Sequence, residues 1–158
     1  MATYVLVHGA IVGGWCWRWV APALRAAGHD VHTPTLTGLG ERVHLASPDI
    51  DLDTHITDVV NLLEYEDLTG AILVGWSYGG MIVAGVADRA AGRIGHLVYL
   101  DSDVPRDGDT SAPPSDHAAR EELARVHGKG WHIPPEQTRA ESLLLSELDD
   151  DRRRWIAA

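Results

Sequence analysis

The chain has 158 residues, enough for one domain with a real core and too few for two. It is 45% hydrophobic and 23% charged, as soluble globular chains are, and its formal net charge of -10 argues against a nucleic-acid partner, which needs clusters of Lys and Arg. No run of about 18 apolar residues is present to span a membrane, and one cysteine, Cys16, allows no internal disulfide.

The N-terminus has no basic region and runs straight into an apolar stretch, which argues against a secretory signal. Together with the single cysteine, this gives a cytoplasmic expectation. Residues 4–7, all apolar, predict a buried strand that ends at His8-Gly9-Ala10 and the Gly13-Gly14 pair, a tight-loop signal. Trp19, Val20, Ala23 and Leu24 recur at helical spacing, so residues 15–27 predict a helix, with Pro22 the discordant residue and Gly28 the stop. Residues 30–33 predict a second strand, halted by Pro34, and the Thr-, Gly-, Pro- and Asp-rich residues 34–50 predict loop.

Ile56, Val59, Val60 and Leu63 form the apolar stripe of a helix over residues 53–65, with Asp53 or Thr54 as its expected cap. Residues 71–74 are apolar without alternation, as a covered parallel strand requires. A small-residue helix over 79–91 and a fourth strand over 97–100 follow. Strands alternating with helices predict a wound, mainly parallel α/β sheet flanked by helices. Beyond Val104-Pro105 the character changes: residues 105–118 are rich in Pro, Asp and Ser, and residues 119–128 and 136–156 predict helices. The expected organisation is a core over 1–104 and a cap-like helical segment over 105–158.

Gly75-Trp76-Ser77-Tyr78-Gly79 fits the pattern G-x-S-x-G between a predicted strand and a predicted helix. A nucleophile on so sharp a turn needs small neighbours, and Gly75, Gly79 and Gly80 supply them. The alternative is a chance match, which the strand-before, helix-after context disfavours. His8-Gly9-Ala10 is the second element. If the first and third strands are neighbours, their loops meet at a topological switch point, and the N–H groups of Ala10 and Tyr78 can form an oxyanion hole. The plainer reading is a loop made by Gly13-Gly14, with His8 as its local anchor.

Residues 4–17, 74–81 and 97–105, with 33–45 and the helix after it, resemble the α/β-hydrolase superfamily, in particular the branch of plant hydroxynitrile lyases, methyl-ester esterases and their bacterial relatives. The resemblance implies Ser77 as nucleophile, Ala10 and Tyr78 as oxyanion donors, and a helical cap from about residue 106. It also implies two further core strands, an acid and a catalytic His beyond the cap. The expectation is therefore a C-terminally truncated relative whose last core strands are missing. Val12 and Trp76 stand where many relatives carry His, which makes the expected pocket (His8, Gly9, Val12, Trp76, Trp131) more apolar.

A serine hydroxyl needs a neighbouring base to take its proton. The candidates are His117, His127 and His132, with Asp101 after the fourth strand as an orienting acid or a solvated strand-end carboxylate. His29, His44, His55 and His96 read as surface or loop residues. The implied function is a carboxylesterase of small apolar or aromatic esters. Two alternatives stand: a lyase or cyclase on the same fold, or an inactive truncated module that dimerises through an exposed sheet edge or the cap. No motif calls for a metal, nucleotide or other cofactor: residues 9–14 lack both the P-loop and the G-x-G-x-x-G pattern.

Overall fold

Of the chain, the computed structural model describes residues 1–109. They belong to a compact unit, Met1–Ser111, built on four strands. Strand β1 (Thr3–Val7) is followed by a single-turn 3-10 segment (Gly14–Trp17) and helix α1 (Val20–Ala26), then β2 (Asp30–His32). A second 3-10 segment (Gly40–Leu45) leads to α2 (Leu52–Tyr65), β3 (Ala71–Trp76), α3 (Gly79–Arg89), a short 3-10 turn (Ala91–Arg93) and β4 (Ile94–Leu100).

Three elements differ from expectation for identifiable reasons. The helix predicted over 15–27 is split, because Pro22 has no N–H to donate. It is tolerated only in a first helical turn, so α1 starts at Val20. The residues before it form the 3-10 turn, with Cys16 N–H donating to Gly13 O and Arg18 N–H to Trp15 O. The cap of α2 is Asp51, not Asp53 or Thr54. Its carboxylate accepts from Thr54 N–H at 2.9 Å while Thr54 Oγ1 accepts from Asp51 N–H at 3.4 Å, a reciprocal capping box. Those bonds from Thr54 hold the Asp51 carboxyl below the ordinary carboxylate range. Strand β4 begins at Ile94, three residues earlier than its apolar run, because its pairing with β3 starts at Ala71 and Ile94 and takes in the exposed Gly95 and His96.

All strand pairs are parallel, in the order β2-β1-β3-β4. The chain steps from β1 to β2 on one side, then crosses back through α2 to place β3 on the other side of β1. The switch point therefore lies between β1 and β3, the condition set by the sequence reading, and it brings the carboxyl ends of both strands together.

Alternating side chains build two cores, one on each face. Val5, Val7, Ala71 and Leu73 pack with Ile56, Val59 and Leu63 of α2 and Ile82, Val83 and Val86 of α3. On the opposite face Leu6, Val74 and Val31 meet Trp17 and Ala21. Each fully buried Leu or Val contributes about 1.5–3 kcal/mol. Among the described residues β2 and β4 are the outer strands, and β4 leaves Val98 and Leu100 exposed. No described helix is long and apolar enough to cross a membrane.

Candidate active site

Ser77 stands between the last residue of β3 and the first of α3, with a backbone φ of 52°. A non-glycine residue adopts this left-handed conformation at a cost of about 1–2 kcal/mol, so its surroundings must hold it there. They do so through β4. Ser77 N–H donates to Leu100 O at 3.2 Å, and the Ser102 hydroxyl donates to Ser77 O at 2.7 Å. The turn closes where Gly80 N–H reaches Ser77 O at 2.9 Å. Ser77 itself is exposed.

The glycines of the motif are there for space. A Cβ on Gly75 would lie 2.6 Å from the carbonyl carbon of Gly79, and one on Gly79 would lie 2.6 Å from Val7 O. The second distance shows how tightly α3 is pressed onto the end of β1. Gly9, at the turn after β1, lies against the elbow: a Cβ there would sit 3.5 Å from Ser77 Cβ and 3.4 Å from the Trp76 ring. Ala10 follows on that turn and is exposed. The structure thus brings together Gly9, Trp76, Ser77 and Tyr78, with Ala10 next in chain.

Trp76 and Tyr78 flank the serine and anchor in opposite layers. Trp76 is half-buried and meets Trp17 edge-on, with ring centroids 6.3 Å apart, in the α1-side core. Tyr78 packs against the α2/α3 core, and burial pushes its hydroxyl up to about 12. Val12, expected in the pocket, is 7% exposed and belongs to the packed interior.

His8, expected at the pocket, is fully buried and spent on anchoring the loops. Nε2 accepts from Leu36 N–H at 3.0 Å, so the ring proton is on Nδ1, which donates to Gly9 O at 2.7 Å. Burial is the main reason its pKa lies below 6.5; the Gly9 bond opposes this, His55 reinforces it and Glu41 opposes it. The folded state thus resists protonating His8, since a proton on Nε2 would face the Leu36 N–H. With the folded pKa depressed, stability is complete above about pH 6.5 and falls as the pH drops below it. Thermal melts from about pH 7 to about pH 5 are expected to show that decline, with a shallower slope in His8→Gln.

His55 departs from the surface placement expected of it. It is only 7% exposed and bonds Tyr78 and Thr37 through its two ring nitrogens. The signal was present in its spacing four residues before Val59 on the buried stripe of α2, but its polarity masked it. His44 and His96 are exposed as expected, whereas His29 is half-buried and accepts from Ala2 N–H through Nδ1 at 3.3 Å. Asp101 follows β4 at a φ of 46° and is exposed. His117, His127, His132 and Trp131 lie outside the described residues, as does the predicted cap from residue 110 onward. Cys16 is no rival nucleophile: burial pushes its thiol up to about 12.

A family model described as "Alpha/beta hydrolase family" matches residues 4–158. The chain belongs to the alpha/beta hydrolase family. Among the proteins it is similar to is the "Carbendazim hydrolyzing esterase" of Nocardioides sp. (strain SG-4G), 52% identical over 132 residues, which are 84% of this chain and 54% of the relative. "Methylesterase 8" of Arabidopsis thaliana is 34% identical over 124 residues, covering 71% of this chain and 40% of that protein. A solved extracellular alpha/beta-hydrolase from a Paenibacillus species, described as sharing structural and functional homology with tobacco salicylic acid binding protein 2, superposes with a TM-score of 0.74 at 25% identity. That match covers 91% of this chain and 64% of the other. The chain spans about half the length of the curated relatives it matches.

Proposed function

We propose that the chain serves as a serine esterase of small apolar or aromatic esters, with Ser77 as nucleophile and the N–H groups of Ala10 and Tyr78 receiving the oxyanion. One observation carries the reading: Ser77, the first residue after β3, is held exposed at a φ of 52° beside the loop after β1. In this reaction Ser77 Oγ attacks the acyl carbon and loses its proton to a base. The ester C–O bond then breaks, the alcohol leaves with that proton, and water releases the acid from the acyl-serine. The similarity to a carbendazim hydrolyzing esterase and to plant methylesterases supports ester chemistry. Trp76 beside Gly9 supports an apolar substrate.

His8 and His55 are not the base, because both ring nitrogens of each are bonded elsewhere. His96 lies near the amino end of β4, on the sheet edge opposite Ser77. His117, His127 and His132, the candidates named from the sequence, are the ones we carry forward as the base. The test is to incubate the full chain with a fluorophosphonate, record the intact mass and map the modified peptide. One adduct on the peptide holding Ser77 is the expected result. A folded chain that takes up none overturns the reading.

A further inference from the structure

We propose that His55 is a positioning residue for this reaction: it clamps the Tyr78 side chain to the β2–α2 loop and so fixes the backbone that presents the oxyanion-binding N–H. The proposal rests on the esterase reading above and adds a residue that the G-x-S-x-G motif does not contain.

The direction of each hydrogen bond follows from valence. His55 Nε2 lies 2.9 Å from Thr37 O, a carbonyl that can only accept, so Nε2 carries the ring proton. Nδ1, 2.9 Å from the Tyr78 hydroxyl, is then an acceptor, and the hydroxyl must donate to it. The two rings meet edge-on at 5.8 Å, which leaves little freedom for either to rotate. Thr37 is itself held at two points: its N–H and its Oγ1 donate to the two oxygens of Asp58 at 2.7 and 2.8 Å. Arg42 stands 3.9 Å from the same carboxylate and donates to Thr35 O at 2.7 Å. An unbroken chain of bonds thus runs from Asp58 through Thr37 and His55 to Tyr78, the residue next to Ser77.

The elbow needs such a hold on this side. Bonds to Leu100 O and from Ser102 secure Ser77 toward β4. Tyr78 is the N-cap of α3, with φ -50° and ψ -32°. Its N–H is among those a helix leaves without an internal partner, so nothing in the helix ladder fixes where it points. An apolar pair at positions 55 and 78 would bury equal area without desolvating a hydroxyl and an imidazole. What the polar pair adds is a single direction for the Tyr78 side chain, and hence for its backbone. Oxyanion donors act only if they are aimed where charge develops, and a displacement of about 1 Å costs on the order of 100-fold in rate.

The experiment compares the full chain with Tyr78→Phe, His55→Leu and His55→Gln. Gln keeps one donor for Thr37 O and one acceptor for the Tyr78 hydroxyl. Two quantities are read: kcat and KM on p-nitrophenyl acetate, and amide hydrogen exchange of the peptide spanning residues 76–81. Tyr78→Phe and His55→Leu are each expected to lower kcat by about 10-fold to 100-fold with KM within about twofold. A double variant carrying Tyr78→Phe and His55→Leu, measured alongside them, should be no worse than either single one. Exchange in the elbow peptide should quicken in both, and His55→Gln should recover most of each effect. Unchanged kcat and unchanged elbow exchange in Tyr78→Phe overturn the proposal, as does a lowered melting temperature with kcat and KM intact. Tyr78→Phe removes one oxygen atom and keeps the test available if His55→Leu does not fold. Failure of the esterase reading looks different: the unsubstituted chain cleaves no ester and takes no fluorophosphonate. The exchange comparison then still decides whether the clamp holds the elbow.

Discussion

Ser77→Ala is expected to abolish fluorophosphonate uptake and to lower kcat/KM for p-nitrophenyl acetate by at least about 1,000-fold, leaving the melting temperature unchanged or slightly raised. Removing the nucleophile of a serine enzyme leaves only what binding and the oxyanion donors supply, and losses of this size or larger are usual. The neutral or favourable effect on stability follows from the local backbone. Ser77 sits at a φ of 52° under external restraint, and its hydroxyl is not needed to hold it there. The bonds that fix the turn use its N–H and its carbonyl, which Ala retains. Steady-state hydrolysis and a thermal melt on the same preparation check both halves. Equal ester cleavage by the two proteins would assign the chemistry to another residue.

Gly75→Ala is expected to be the more damaging change to the fold itself, lowering stability by about 3 kcal/mol. The added Cβ would meet the carbonyl carbon of Gly79 at 2.6 Å. Backbone stands against backbone there, with no side-chain end able to swing aside. Relief requires α3 to move away from β3, and α3 is also pressed on Val7 O through Gly79. Urea unfolding gives the difference directly. Gly92→Ala is the control: nothing lies within 4 Å of a Cβ at Gly92, and its substitution should stay within about 0.5 kcal/mol of the parent. Similar losses at both positions would mean that crowding at the elbow is not what matters.

Much of the architecture was legible because its signals are local. An apolar run, then Gly75-Trp76-Ser77-Tyr78-Gly79, then small residues at helical spacing states strand, sharp turn and helix without long-range information. The adjacency of β1 and β3 could be posed only as a condition, since strand order is a property of the assembled sheet. The misread details turned on choices among neighbours. Asp51, Asp53 and Thr54 are all competent caps, and only the reciprocal bonds between Asp51 and Thr54 select one. His55 was illegible for another reason. A buried imidazole is stable when both nitrogens are satisfied, and its partners, Thr37 O and the Tyr78 hydroxyl, come from segments far away in sequence. Gly28, by contrast, announced the end of α1 correctly, and it adopts a φ of 87°.

The glycines divide the molecule into two ends with different uses. Those at the carboxyl edge of the sheet, Gly9, Gly75, Gly79 and Gly80, are hemmed in by neighbours. Those before the strands, Gly28 ahead of β2, Gly70 ahead of β3 and Gly92 ahead of β4, have nothing within 4 Å of a Cβ. In an all-parallel sheet these open turns share one edge, opposite Ser77. They are the natural points at which to tether the protein to a bead or splice in a tag, because an attachment there lies at the edge of the sheet away from the serine.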